Sequence, residues 1–132
     1  MGTSVSSFKR TVLAIGIDPE FVDVKEIPGL TPQLVRNFID TQLRNLSDSG
    51  YDVVNCLVDL GATAARVVES ALRTRGFDCV MIGAGLRQPS RNLLLFEEIL
   101  NLVHALAPGA RICFNTTPAD TTEAVKRWVT PH

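Results

Sequence analysis

The sequence of 132 residues has no long apolar run and no excess of either charge. Its apolar stretches are about as long as a β-strand, far short of the roughly 20 residues that cross a bilayer. We therefore expect no membrane partner. Thirteen basic and 14 acidic residues give a formal net charge of -1, and like charges do not cluster. We also expect no nucleic-acid partner, because proteins that bind nucleic acid concentrate positive charge on one face.

Cysteine and histidine are scarce as well. Cys56, Cys79 and Cys113 each lie inside an apolar run without C-x-x-C spacing, which predicts buried free thiols and not zinc or redox sites. Free thiols suit a reducing compartment, so we expect a cytoplasmic protein. His104 and His132 are the two histidines, and neither follows a predicted strand, where a catalytic imidazole would be needed. With no His, Cys or carboxylate cluster, we expect no metal site.

The chain does contain β-branched apolar runs that alternate with segments of 3.6-residue periodicity, which is typical of βαβ units. We expect residues 1–10 to be flexible and residues 11–132 to form one α/β domain. The predicted strands are 11–17, 51–58, 77–83 and 110–115. The predicted helices begin at Thr31-Pro32 and end at Gly50, run from Gly61 to Arg75, run from 90 to 107, and follow Thr117-Pro118 with Ala124, Val125 and Trp128 packed inward.

This alternation predicts a three-layer, doubly wound fold of the flavodoxin-like or Rossmann-like kind. Right-handed crossovers favour a parallel four-stranded sheet in the order 2-1-3-4. The run 77–83 is almost wholly apolar and should be central, whereas the run 51–58 contains Asn55, which an edge strand tolerates.

Ligands of such folds bind beyond the carboxyl ends of the strands, where the winding reverses. Here that point lies between the first and third strands. The residues predicted to surround it are Gly16, Asp18 and Pro19 after strand one, Gly83, Gly85 and Arg87 after strand three, Asp59 and Thr63 to one side, and Asn115, Thr116 and Thr117 to the other.

No nucleotide cofactor is expected at this point. The stretch IGAGLRQPSRN, residues 82–92, contains two glycines of a dinucleotide fingerprint, but Gln88 occupies the third glycine position and the loop follows strand three instead of strand one. No G-K-[ST] triplet of a Walker motif occurs. The loop GIDPEFVD after strand one is acidic, so it repels the phosphate of a flavin.

Two interpretations of the glycine stretch remain open. In the first, loop N–H groups and Arg87 hold a small anion, which Ser90 and Arg91 extend. In the second, Gly83 and Gly85 form a turn that requires positive φ, and the Arg87 side chain is solvated.

The segments IDPE, SDSGYDV, TRGFDCVMIGAGLRQP and APGARICFNT occur in an order and spacing that resembles the receiver domains of two-component signalling, over residues 11–125. The resemblance implies that Asp18 stands for one magnesium-binding carboxylate and Thr116 for the hydroxyl of the fourth strand. Gly83 occupies the place of the phospho-accepting aspartate, and no fifth strand with its lysine follows. The resemblance therefore implies the fold without phosphorelay chemistry.

These observations lead to two hypotheses about function. The first is a regulatory or interaction module that binds a small anionic or polar ligand through Gly16, Asp18, Gly83, Gly85, Arg87, Ser90, Asn115 and Thr116. The alternative is a small cofactor-independent lyase, isomerase or hydrolase with Asp18 or Asp59 as base and Arg87 as electrostatic stabiliser.

The predicted helix 90–107 is more apolar than a surface helix requires. We expect Leu94, Leu102 and their neighbours to be covered by a partner, so that helix 90–107 and strand 110–115 form a homodimer or higher homo-oligomer. Only Glu97, Asn101 and His104 make a polar ridge along it, which favours a solvated or interface His104 over a catalytic one.

Overall fold

The computed structural model describes residues 9–22 and 28–132, so most of the N-terminal segment predicted to be flexible lies outside the described residues. The strands are β1 (Thr11–Ile17), β2 (Asp52–Val58), β3 (Cys79–Ile82) and β4 (Arg111–Phe114). The helices are α1 (Pro32–Asp48), α2 (Ala64–Thr74), α3 (Ala84–Arg87), α4 (Leu93–Leu106) and α5 (Thr121–Lys126). Short 3-10 turns cover Pro19–Phe21, Ser90–Asn92 and Pro118–Asp120. None of the helices within these two described ranges is both long and apolar enough to span a membrane.

All four strands pair in parallel in the order β2-β1-β3-β4, which confirms the predicted topology and gives a flavodoxin-like three-layer fold. The central strand β3 is buried along its whole length, while β2 forms one edge and leaves Asn55 exposed. The winding reverses between β1 and β3, so their carboxyl ends, Ile17 and Ile82, lie beside the point where the strand order predicts a ligand crevice.

Each face of the sheet carries its own apolar core. On one face α2 and α4 cover Leu13, Ile15 and Val80, and on the other α1 and α5 cover Val12 and Met81. Cys56 lies in the first core, and Cys79 and Cys113 lie in the second. All three are buried free thiols, as the sequence predicts. Burial of this kind raises the pKa of the Cys56 thiol to about 11.

Helix α1 begins and ends at the residues that its sequence indicates. The Thr31 hydroxyl accepts a hydrogen bond from the Leu34 N–H at 3.2 Å, and Gly50 ends the segment with φ of 105°, a conformation that glycine adopts without strain. Leu46, in the last turns, is fully buried, whereas Leu34 is 51% exposed near the start. The apolar packing of the helix is therefore tighter at its C-terminal end than at its start.

One packing prediction was wrong. Trp128 lies beyond the end of α5 and is 57% exposed, although Ala124 and Val125 are buried as expected. Leu102 is half-buried against the core of its own chain, and its coverage by a partner stays a prediction. Leu94, in contrast, is 78% exposed.

Candidate functional site

A cavity of about 410 Å³ lies between α1 and the sheet, at the carboxyl ends of β1 and β3. The sheet contributes Ala14, Gly16 and Met81 to its lining, and α1 contributes Leu34 and Phe38. Its volume falls in the range of about 300 to 1,000 Å³ that small-molecule pockets occupy. The crevice predicted from the strand order is therefore present.

Small residues create this hollow. Gly16 faces α1 from β1, and Gly83, Ala84 and Gly85 follow β3, so that little side-chain volume fills the space below the first half of α1. A Cβ atom at Gly16 would lie 3.8 Å from the nearest atom, the Cδ2 of Leu57, which is an ordinary contact. The backbone could thus carry a larger side chain at Gly16, and that side chain would extend into the cavity.

At Gly83 a glycine is needed for a different reason, the close approach of neighbouring backbone. A Cβ atom there would meet the carbonyl oxygen of Ile15 at 3.3 Å and the Cα of Gly16 at 3.6 Å. Neither Gly83 nor Gly85 has positive φ, since the only such glycines in the described residues are Gly29 and Gly50. The predicted positive-φ turn is wrong, and Gly83 is needed because β1 and the start of α3 approach closely.

We expect Gly83→Ala to lower the free energy of unfolding by about 1 to 3 kcal/mol, because the crowding atoms belong to backbone that cannot move aside cheaply. Urea denaturation followed by circular dichroism measures this. Gly16→Ala is the matched control and should leave stability unchanged or raise it, since glycine in a strand interior is unfavourable relative to alanine. Equal stability of the two variants would contradict the close approach.

The residues of the described ranges that line the cavity include no charged side chain. Their polar members are Gln42 from α1, Asn55 from β2, and the pair Asn115 and Thr121. All other lining residues are apolar, glycine or proline. Such a surface favours an uncharged, largely apolar ligand, because a buried charge without a partner is strongly unfavourable.

Asn115 joins three elements at the edge of the cavity. Only 3% of the residue is exposed. Its Oδ1 accepts a hydrogen bond from the Ala84 N–H at 2.8 Å, and its Nδ2 donates to the Thr121 hydroxyl at 3.1 Å. The Thr121 hydroxyl in turn donates to the carbonyl of Pro118. Asn115 therefore ties the end of β4 to the starts of α3 and α5, and it consumes the Ala84 N–H, one of the donors expected to hold an anion.

Arg87 does not face the cavity. Its guanidinium donates to the backbone carbonyl of Asn115 at 2.8 Å and stacks over the ring of Phe114, 5.3 Å from the ring centroid. The side chain is half-buried, so the prediction that it is solvated is wrong. These contacts place it at the β4 edge of the sheet, where it fastens the strand end.

The carboxylate of Asp18 interacts with Arg36 of α1 and with its own loop. Its Oδ1 accepts hydrogen bonds from the guanidinium of Arg36 at 2.9 Å and from the N–H of Glu20 at 3.0 Å. The carboxylate thereby anchors α1 to the loop after β1. Asp18 and Arg87, predicted to act together, make their contacts with different partners.

Asp59 caps the loop that precedes α2. Its carboxylate accepts a hydrogen bond from the N–H of Gly61 at 3.1 Å and one from the hydroxyl of Thr63 at 2.8 Å. The N–H of Gly61, followed by the Thr63 hydroxyl, lowers the pKa of Asp59 below its ordinary value. A general base needs a raised pKa, and Asp59 follows the β2 edge of the sheet while Arg87 contacts the β4 edge.

The lowered pKa of Asp59 predicts that the contribution of this residue to stability depends on pH. The pKa of Asp59 is lower in the folded than in the unfolded chain. The stabilisation that its carboxylate provides is therefore complete above the unfolded pKa of about 3.9, and it is lost as pH falls through the folded pKa. We expect the difference in unfolding midpoint between the wild type and Asp59→Asn to be largest near neutral pH and to shrink below about pH 4. Denaturation at a series of pH values measures it. A difference that grows on acidification would contradict the lowered pKa.

The remaining predicted residues lie around the site without lining it. Ser90 is exposed at the start of a 3-10 turn. Thr116 donates its hydroxyl to Asp120 at 2.6 Å, and Thr117 and Asp120 form a capping box for the turn before α5. The structure thus brings Gly16, Gly83, Gly85 and Asn115 to one cavity, and leaves Asp18, Arg87, Ser90 and Thr116 outside its lining.

The sequence interpretation missed the α1 wall of the cavity, which includes Leu34, Phe38 and Ile39. A signal was present: the positions of β1 that face α1 are Ala14 and Gly16, too small to fill the space beneath large helix residues. That mismatch in side-chain volume, which can be read from the residue types alone, indicates a hollow between the helix and the sheet.

Within residues 9–22 and 28–132, no three His, Cys, Asp or Glu side chains lie close enough together to hold a metal ion. The comparisons with protein-family models, with curated proteins and with solved structures found no match to this chain.

Proposed function

We propose that this chain is a small-molecule-binding module whose ligand is predominantly apolar and occupies the cavity between α1 and the carboxyl ends of β1 and β3. The single observation that carries this proposal is a cavity of about 410 Å³ to whose lining residues 9–22 and 28–132 contribute no charged side chain. Transfer of apolar ligand surface from water into such a space is favourable, at roughly 25 cal/mol per Å².

The proposed site is the one predicted from the sequence, the crevice at the carboxyl ends of β1 and β3, but the proposed ligand is apolar instead of anionic. The anionic ligand expected there has little support, because the Ala84 N–H is bound to Asn115 and the Arg87 guanidinium lies on Phe114. An uncharged cavity also disfavours the cofactor-independent enzyme, since Asp18 and Asp59 are not among its lining residues.

The proposal includes a regulatory or interaction role and no phosphorelay step. The chain resembles receiver domains in the order of its elements, yet Gly83 stands where that family has its phospho-accepting aspartate. Glycine has no side chain that accepts a phosphoryl group.

A titration with N-phenyl-1-naphthylamine tests the proposal. This neutral fluorophore brightens when it leaves water, so the wild-type protein should give saturable binding and a raised melting temperature, as any ligand that prefers the folded state does. Absence of saturable binding and of a thermal shift would contradict the proposal.

We also propose self-association through the start of α4, because the large apolar side chains of Leu94 and Leu93 are 78% and 54% exposed there. Leu94→Lys should then weaken a dimer by about tenfold or more, since it removes an apolar contact and brings like charges together. Sedimentation equilibrium measures the association. Asn45→Lys, an exposed position on α1 at the opposite face of the sheet, is the control for added positive charge and should leave the association unchanged. A wild-type chain that is monomeric at high concentration would overturn this proposal.

A further inference from the structure

The polar groups of the cavity fall into two sets that differ in their remaining hydrogen-bonding capacity. Asn115 and Thr121 already bond to Ala84, to each other and to Pro118. Asn55 and Gln42 also line the cavity, and no hydrogen bond joins either amide to another residue of the described ranges 9–22 and 28–132. Among the lining residues that the structure describes, these two amides are therefore the polar side chains left for a ligand.

Asn55 and Gln42 lie on opposite walls. Asn55 is in β2, where it pairs in register with Ala14, and Gln42 is in α1. Gly16 pairs with Leu57, two residues further along both strands, or about 7 Å closer to the strand ends. A bound molecule with a polar group between the two amides would thus have its body over Gly16 and toward Gly83.

We propose that the molecule bound in this cavity is uncharged and carries one hydroxyl, carbonyl or amide group that Asn55 and Gln42 hold, with its apolar body over Gly16. This inference rests on the proposed function and narrows its ligand class to neutral amphipathic molecules. An amide side chain both donates and accepts hydrogen bonds, so it suits each of these groups. A carboxylate or an ammonium group would find no counter-charge among the lining residues that the structure describes, which is unfavourable.

Competition against N-phenyl-1-naphthylamine tests the inference, with four competitors that share an eight-carbon chain. At neutral pH, 1-octanol and octanamide should displace the fluorophore, whereas octanoate and octylammonium should be weaker by about tenfold or more, because their charges lose part of their hydration beside the exposed Asn55 without gaining a charged partner.

Variants of the two amides test where the polar group lies. Asn55→Leu and Gln42→Met should each weaken 1-octanol and octanamide by about fivefold, the typical effect of one hydrogen bond, and leave the fluorophore affinity within a factor of about two. Asn45→Leu, on the exposed side of the same helix, is the matched control and should change neither affinity.

The outcomes separate the two proposals. If the fluorophore neither binds nor raises the melting temperature, the proposed function fails. If the fluorophore binds but octanoate competes as well as 1-octanol, or the amide variants keep the affinity for 1-octanol and octanamide, the cavity is an apolar site and the inference about a neutral polar group is overturned.

Discussion

Replacement of Gly16 by leucine is expected to abolish binding of an apolar ligand while the protein keeps its fold. The new side chain starts 3.8 Å from the Cδ2 of Leu57 and extends into the cavity. A ligand would have to share that space, and overpacking of this kind costs about 3 kcal/mol, which corresponds to roughly 100-fold in Kd. Titration of the variant with N-phenyl-1-naphthylamine measures the loss.

The same variant should not lose stability. Glycine inside a strand is unfavourable by about 0.5 to 1 kcal/mol relative to alanine, and the added leucine covers apolar surface that the cavity leaves open. Thermal unfolding should therefore give an equal or higher melting temperature. Gly109→Leu is the control, because Gly109 has open space around it and lies before β4, at the opposite end of the sheet. Unchanged fluorophore binding by Gly16→Leu would show that the cavity is not the site.

Replacement of Asn115 by leucine is expected to lower the free energy of unfolding by about 2 to 3 kcal/mol. Leucine is similar in size but leaves the buried Ala84 N–H without an acceptor and removes the donor to Thr121. For a domain of this length the melting temperature should fall by roughly 10 °C. Chemical denaturation with circular dichroism measures the effect.

Asn101→Leu provides the comparison for Asn115. Asn101 is exposed on α4, and its amide donates only to the carbonyl of Glu97 in the same helix. We expect a change within about 0.5 kcal/mol there, as for most surface substitutions. Similar losses at the two positions would mean that the network around Asn115 does not stabilise the joint between β4, α3 and α5.

The elements of the fold followed from local patterns. β3 is apolar at every position, and α1 has Thr31 and Pro32 at its start and Gly50 at its end, so each could be placed without knowledge of the rest of the chain. Boundaries were less accurate. The predicted helix 90–107 begins at Leu93 and ends at Leu106, because residues Ser90–Asn92 form a 3-10 turn of their own.

The candidate site, too, could be predicted from the sequence only in part. Gly16, Gly83, Gly85 and Asn115 follow or end strands, and the carboxyl ends of parallel strands meet at one edge of the sheet, so their convergence could be predicted. The roles of Asp18 and Arg87 could not. Their partners are Arg36 on α1 and Asn115 with Phe114 at β4, and those contacts depend on where a helix and an edge strand come to lie.

The sequence by itself determined the α/β class, the four parallel strands, their order and the end of the sheet at which a crevice opens, because periodicity and the handedness of crossovers act locally. Only the tertiary structure decided what fills that crevice. The cavity exists because α1 is held close to the sheet at Leu46 while small residues face its other half. A volume between two packed surfaces depends on their separation, which no single segment encodes.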